Sequence, residues 1–257
     1  MPATALQHFQ QDIARANAIV RLADPLPQSS GAERLLRSDL LRSAWMFAVG
    51  ALDAYFCDAY TDLIAATISS KSRQPAITLP DSFYEIRFPV RAILEEYVNP
   101  NWRWRMAARE MMERENVLSL TTIQKLFNKF FPKGRKLFGD LMHEWISHPT
   151  ADRRLFGLSA LAYAAMSAPQ QNQARQNALE QFENRYEELF QRRHDCIHNC
   201  DRPKVAPQLL RSGTVVAKVI QDVEFLVARC DAHIDTEFRE FLVRIGCSAK
   251  TITNAGY

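Results

Sequence analysis

The feature that most constrains the fold is a run without proline from residue 30 to residue 74, in which apolar and small residues recur three or four positions apart. This spacing puts them on one face of an α-helix, since each residue turns the helix by about 100°. No segment of useful length alternates with the period of two that predicts a strand. The run therefore predicts one helix of about 40 residues and an all-α fold.

Three other segments have long helical spacing: residues 4–22, 171–200 and 214–245. They predict, with the first run, a bundle of long helices. A capping box, Ser30-Gly-Ala-Glu33, predicts the start of the longest helix, because the two side chains can satisfy each other's exposed backbone donors. The tail after Gly246 is predicted to fray.

The middle third of the chain carries shorter helical patterns, interrupted by proline and glycine. They predict short helices over residues 89–98, 101–115, 121–131, 135–147 and 151–167. We therefore predict a single all-α domain over residues 1–257, with residues 71–170 as a helical insertion within it.

Charge, cysteines and hydropathy limit the class of protein. The net charge of +3 over 257 residues does not by itself indicate a nucleic-acid partner, because binding depends on where the charges lie. Five cysteines without the spacing of a disulfide framework, after an N-terminus without a signal-peptide pattern, predict free thiols and a cytoplasmic protein. No segment approaches the roughly 20 apolar residues of a membrane span, so no membrane association is expected.

The segment with the clearest chemistry is Arg192-Arg193-His194-Asp195-Cys196-Ile197-His198-Asn199, at the end of the predicted helix 171–200. An imidazole titrates near neutral pH, and it can take the proton of a ribose 2′-OH or give one to a leaving 5′ oxygen. A guanidinium can bind a phosphate through two hydrogen bonds while charge grows on the phosphate oxygens. These residues predict RNA cleavage without a metal or cofactor, leaving 2′,3′-cyclic phosphate and 5′-hydroxyl ends.

Each motif residue has a predicted role. His198 is the candidate general acid or base, Arg193 the candidate phosphate clamp, and His194 and Asp195 are candidate orienting neighbours. On a straight helix Arg193 and His198 lie roughly 140° apart around the axis. One helix does not easily point both at a single phosphate, so we expect a homodimer in which a second copy supplies half of the site.

The residues Arg193-His194-Asp-Cys-Ile-His198 resemble the motif of nuclease members of the HEPN superfamily: an arginine, a polar residue, a few further residues and a histidine. The upstream stretch Ala48-Val-Gly-Ala-Leu-Asp53-Ala-Tyr-Phe resembles the corresponding helix of RiboL-PSP-type HEPN proteins. The resemblance covers residues 30–70 and 171–245. It implies a HEPN-like helical-bundle homodimer with a composite active site and metal-independent endoribonuclease (hydrolase) activity. It also implies work in toxin-antitoxin or antiviral defence systems, with an antitoxin or other defence protein as partner.

Other interpretations of the motif remain open. Arg192 and Arg193 can pair with acidic neighbours across helical turns while the histidines cap the helix end. A noncatalytic HEPN-like dimer that binds a nucleotide, RNA or a protein partner is a further alternative. The alternation of His194, Cys196, His198 and Cys200 does not predict a zinc site, because alternate residues on a helix lie about 200° apart and cannot converge on one ion.

Two residues are candidates for supporting the motif. Asp53 lies on an apolar helix face, where a carboxylate needs a partner, and Arg193 or a histidine would supply one. A solvent-facing Asp53 is the alternative. Asn199, directly after His198, is the second candidate.

Residues 101–136 interleave cations with aromatic residues. Cations beside rings that can stack on bases predict a platform for single-stranded RNA. The alternative is that the aromatic residues belong to the core and the cations to an ordinary solvated face. The candidate RNA-binding cations are Arg103, Arg105, Lys125, Lys129, Lys133 and Arg135.

Overall fold

A computed structural model describes residues 2–95, 97, 102–113, 115, 117–199 and 209–255. About three quarters of the residues in these ranges are helical, and none of them lies in a strand. The predicted all-α fold class is confirmed. Within the same ranges, no helix combines the length and apolar character needed to cross a bilayer.

The described helices are four long ones and eight short ones, and the short ones lie mainly in the middle third. In chain order they are α1 (Pro2–Ala23), α2 (Gly31–Arg73), α3 (Asp81–Tyr84), α4 (Val90–Leu94), α5 (Trp102–Met112), α6 (Leu120–Phe127), α7 (Met142–Ile146), α8 (Arg153–Phe156), α9 (Ala160–Ala164), α10 (Ala168–Asn199), α11 (Gly213–Arg244) and α12 (Ala249–Ala255).

The capping box predicted at the start of α2 is confirmed by its hydrogen bonds. The backbone N–H of Ser30 donates to Glu33 Oε2 at 2.9 Å, and the backbone N–H of Glu33 donates to Ser30 Oγ at 3.2 Å. These bonds satisfy backbone donors that a helix start would otherwise leave without an intrahelical partner.

We expect Ser30→Ala to lower the free energy of unfolding by about 1 kcal/mol, because the alanine side chain cannot accept the N–H of Glu33. Urea unfolding followed by circular dichroism measures the loss. Ser30→Thr, which keeps the hydroxyl, is the control and should lie close to wild type. Equal stability of the alanine variant and wild type would show that the cap contributes nothing.

Several helices predicted in the middle third are wrong in extent. The predicted helix 89–98 is helical only over Val90–Leu94, and the predicted helix 121–131 ends at Phe127. Within the predicted helix 135–147 only Met142–Ile146 is helical, because Phe138 adopts a left-handed backbone with φ 68°. Its buried ring packs against Trp145 and Phe182, at centroid distances of 5.7 and 5.9 Å. The predicted helix 151–167 is divided into α8 and α9, since Gly157, with φ 75°, ends α8.

The tail after Gly246 is also more ordered than predicted, because it forms α12. Thr251 and Ile252 in α12 are buried. The side chain of Gln74 donates to the carbonyl oxygen of Gly246 at 2.8 Å and accepts the backbone N–H of Ser248 at 3.0 Å. These bonds and the buried residues attach the tail to the end of α2.

The chain divides into two compact units. The first unit comprises Met1–Leu6, Asp53–Leu137 and Cys230–Tyr257, and the second comprises Gln7–Leu52 and Phe138–Arg229. The short helices α3 to α6 belong to the first unit and α7 to α9 to the second. The interpretation of residues 71–170 as an insertion into one domain stays a prediction.

Each unit has its own aromatic core. In the first unit, Phe130 makes edge contacts with Phe238 and Phe241 at centroid distances of 5.5 and 5.3 Å. In the second unit, Phe182 of α10 stacks on Phe156 of α8 at 5.6 Å. Such ring pairs add to the free energy already gained by burying the side chains.

Candidate functional site

The motif occupies the last two turns of α10, which remains helical to Asn199. The apolar residues of α10 at positions 178, 182, 186 and 189 are fully buried, and Cys196 is 6% exposed. At the level of Leu189 the indole N–H of Trp45 in α2 donates to the Leu189 carbonyl oxygen at 3.3 Å. The burial of this face determines the direction in which each motif side chain points from the helix axis.

His194 and His198 lie side by side on the opposite, exposed face of α10. Their ring centroids are 4.3 Å apart, with an angle of 43° between the rings. The spacing of four residues explains this contact, because such residues lie one above the other on a helix. The helix end thus presents two adjacent imidazoles to solvent.

Arg193 is half-buried and lies toward the buried face of α10. Because α10 is helical through Asn199, the angular separation of roughly 140° between positions 193 and 198 is retained. A single copy of the helix therefore does not bring Arg193 and His198 onto one face.

Asp195 is held by a residue that the sequence motif did not include. The side-chain amide of Gln191 donates to Asp195 Oδ1 at 2.9 Å. The spacing of four residues between Gln191 and Asp195 is the sequence signal that predicts this contact. Asp195 therefore has a partner on its own helix.

The helix-cap interpretation predicts ion pairs between the motif arginines and acidic neighbours. Glu188 pairs with Arg185 at 3.3 Å, and the Arg192 guanidinium lies 6.0 Å from the centre of the Trp45 ring. In the part of the chain that the structure describes, Arg193 makes no ion pair or hydrogen bond, and neither do the imidazoles of His194 and His198. The exposed imidazoles of His194 and His198 can therefore contact a substrate.

The two candidate supporting residues, Asp53 and Asn199, differ in what the structure describes. Asp53 is half-buried in the part of α2 that belongs to the first unit, whereas the motif belongs to the second unit. The side chain of Asn199 lies outside the described residues, as does Cys200. The supporting role of both residues stays a prediction.

Asp53 affects a neighbouring thiol. Burial, and then the negative charges of Asp53 and Asp58, raise the pKa of Cys57 from 9.0 to about 12. We expect about 1,000-fold less thiolate at Cys57 than an ordinary thiol with a pKa of 9.0 has at the same moderately alkaline pH. Iodoacetamide should therefore alkylate Cys57 slowly in the folded protein, as measured by mass spectrometry.

Asp53→Asn removes one of the negative charges that disfavour the thiolate, so it should lower the pKa of Cys57 and speed its alkylation. Urea-unfolded protein gives the reference rate for each variant. Alkylation of Cys57 at the same rate in folded and unfolded protein would contradict the expected shift.

Half of the candidate RNA-binding cations are engaged within the first unit. Arg105 Nε donates to Asp62 at 2.6 Å, and Arg135 Nε donates to Glu237 at 2.7 Å. Lys129 Nζ donates to the hydroxyl of Tyr60 at 2.7 Å. The exposed candidates are Arg103, Lys125 and Lys133.

The aromatic residues of the same segment are divided. Phe127, Phe130 and Phe131 are buried, whereas Trp102 is 57% exposed. The three phenylalanines therefore match the core interpretation, and their rings are not available for base stacking. The role of the six cations in RNA binding stays a prediction.

No set of three or more histidine, cysteine, aspartate or glutamate side chains converges on a possible metal position among the described residues.

Comparisons of the chain with protein-family models, curated proteins and solved structures found no match. The resemblance to HEPN nucleases therefore depends on the motif residues and on the all-α fold.

Proposed function

We propose that this protein is a metal-independent endoribonuclease. The observation that carries the proposal is the end of α10, where two exposed imidazoles 4.3 Å apart accompany an arginine whose guanidinium has no ion pair among the described residues. Imidazoles can supply general acid–base catalysis, and a guanidinium can stabilise the charge that develops on the phosphate, so these groups can cleave a phosphodiester without a metal.

In the proposed reaction His198 acts as general base or general acid. As base, its imidazole takes the proton of the ribose 2′-OH, and the 2′ oxygen attacks the adjacent phosphorus. The bond from phosphorus to the 5′ oxygen breaks, and that oxygen receives a proton from a general acid. The products are a 2′,3′-cyclic phosphate and a 5′-hydroxyl.

Arg193 stabilises the negative charge that develops on the phosphate oxygens, and His194 and Asp195 orient the groups around the phosphate. Since α10 turns Arg193 away from His198, the site we propose is composite. The Arg193 of one subunit and the His198 of its partner copy face the same phosphate across a homodimer interface. The resemblance to HEPN nucleases further favours a toxin or antiviral defence role, with an antitoxin or another defence protein as a partner.

The test is to incubate purified protein with RNA in EDTA and to analyse the ends of the fragments. We expect fragments with 2′,3′-cyclic phosphate and 5′-hydroxyl ends, because the nucleophile belongs to the substrate. RNA that stays intact but binds the protein would favour a noncatalytic binding module. Cleavage that EDTA abolishes would show that a metal, and not the motif alone, performs the chemistry.

A further inference from the structure

A cavity of about 360 Å³ in the second unit is surrounded by three arginines. Arg34 and Arg37 come from the start of α2, and Arg211 comes from the segment that precedes α11. The remaining lining residues are Gln28, Leu209 and Leu210. Among the residues that the structure describes, no acidic residue is part of this lining.

Arg37 holds one wall of the cavity in place. It is 7% exposed, and it donates to the carbonyl oxygen of Ala23 at 3.1 Å and to the carbonyl oxygen of Arg211. On the same wall, Ser38 Oγ accepts the backbone N–H of Leu210 at 3.0 Å. The backbone that carries Arg211 is therefore fixed to α2 by hydrogen bonds on both sides of the Leu210–Arg211 peptide.

The carboxylate of Asp24, which contacts Arg37, is already engaged. Asp24 accepts a hydrogen bond from Arg37 at 3.2 Å. Its carboxylate also lies so close to Gly213, the first residue of α11, that a Cβ there would be 2.2 Å from the carboxylate oxygen. A helix start carries partial positive charge, so Asp24 is balanced by Arg37 and by α11.

The side chains of Arg34 and Arg211 have N–H groups that donate to no acceptor among the described residues. Both side chains are exposed. Arg34 uses one terminal nitrogen to donate to the carbonyl oxygen of Gln28 at 3.1 Å, with a longer contact to Ser29. Within the described ranges, the side chain of Arg211 has no ion pair or hydrogen bond.

Two cations with unused N–H groups thus line a cavity of about 360 Å³ together with Arg37, which anchors the segment that carries Arg211. Guanidinium groups bind phosphate oxygens through paired hydrogen bonds. We infer that this cavity binds a backbone phosphate of single-stranded RNA, with Arg34 and Arg211 as its ligands and Arg37 as a positioning residue. The inference rests on the proposed function, because it assigns a substrate-binding position to that enzyme.

The test measures binding separately from cleavage. His198→Ala protein is titrated into a fluorescently labelled oligouridine in EDTA, and anisotropy gives the dissociation constant between about 50 and 200 mM salt. In that background we compare Arg34→Gln, Arg211→Gln and the double variant. Arg175→Gln is the control, because it removes a half-buried arginine of the same unit that is not part of the cavity lining.

Each cavity variant should weaken binding about 5- to 10-fold at ~50 mM salt. The slope of log affinity against log salt concentration should become shallower by about 0.7, since each variant removes one phosphate contact on a single strand. Arg34→Lys and Arg211→Lys keep the charge and should recover part of the affinity. Arg175→Gln should change neither quantity in this way.

The outcomes separate the two proposals. Binding by the double variant with the affinity and slope of Arg175→Gln would overturn the cavity proposal, and so would the absence of RNA binding in every protein. If the cavity variants lose affinity as expected but the unmodified protein never cleaves RNA, the cavity proposal holds and the ribonuclease proposal fails.

Discussion

Replacing His198 with alanine is expected to slow RNA cleavage about 100- to 10,000-fold, the usual range for removal of a general acid or base. His198 is exposed at the end of α10 beside His194, and alanine removes its imidazole without disturbing a buried contact. Initial rates on a labelled RNA in EDTA measure the effect. His8→Ala, which removes another exposed imidazole of the same unit, should retain the wild-type rate.

Arg193→Ala should lose activity to a similar extent, because the developing phosphate charge would have no guanidinium partner.

The composite site can be tested by mixing the inactive His198→Ala and Arg193→Ala proteins. If each site combines one subunit's Arg193 with the partner's His198, every mixed dimer contains one intact site. Random exchange then returns about a quarter of the wild-type activity. Activity that stays absent in verified mixed dimers would place both groups in one subunit, and full activity of either single variant would remove that residue from the mechanism.

Asp222→Asn is expected to lower the free energy of unfolding by about 3 kcal/mol, because it leaves two arginines without their buried counter-ion. Asp222 of α11 is fully buried and accepts hydrogen bonds from Arg154 Nε at 2.7 Å and from Arg185 Nε at 2.9 Å. The two arginine side chains keep 23% and 19% exposure. Water can therefore reach them in part, so we place the loss at the lower end of the range for breaking buried pairs.

Thermal unfolding followed by circular dichroism measures this loss, and we expect the midpoint to fall by about 6–12 °C. The matched control is Asp152→Asn, since Asp152 pairs with the same Arg154 but is 45% exposed. Its loss should stay below about 1 kcal/mol, as for other solvent-exposed pairs. Equal stability of the two variants would show that Asp222 does not hold the second unit together.

The motif illustrates how far local spacing predicts a site. The four-residue interval between His194 and His198 predicts their contact, because neighbours on a helix face are determined by the backbone alone. The same geometry predicts that Arg193 points elsewhere. The cavity around Arg34 and Arg211 was not predicted, since its residues are far apart in the sequence and no spacing rule joins them.

In the cationic segment 101–136, composition does not predict which cations remain free to bind RNA. Its composition predicts an RNA platform, but Arg105 and Arg135 are paired with the acids Asp62 and Glu237. Composition shows that cations are present. It does not show which of them the folded chain neutralises, because the partners come from distant parts of the sequence.

The sequence by itself determined the all-α class, the extent of the long helices and the capped start of α2, because apolar periodicity and capping are properties of neighbouring residues. Only the tertiary structure decided the conformation of Phe138, the burial of Asp222 between two arginines and the grouping of arginines around one cavity. Each of these depends on contacts between distant segments, whose free energy outweighs local helix preference. The helical spacing of residues in the sequence does not predict which distant segments will be in contact.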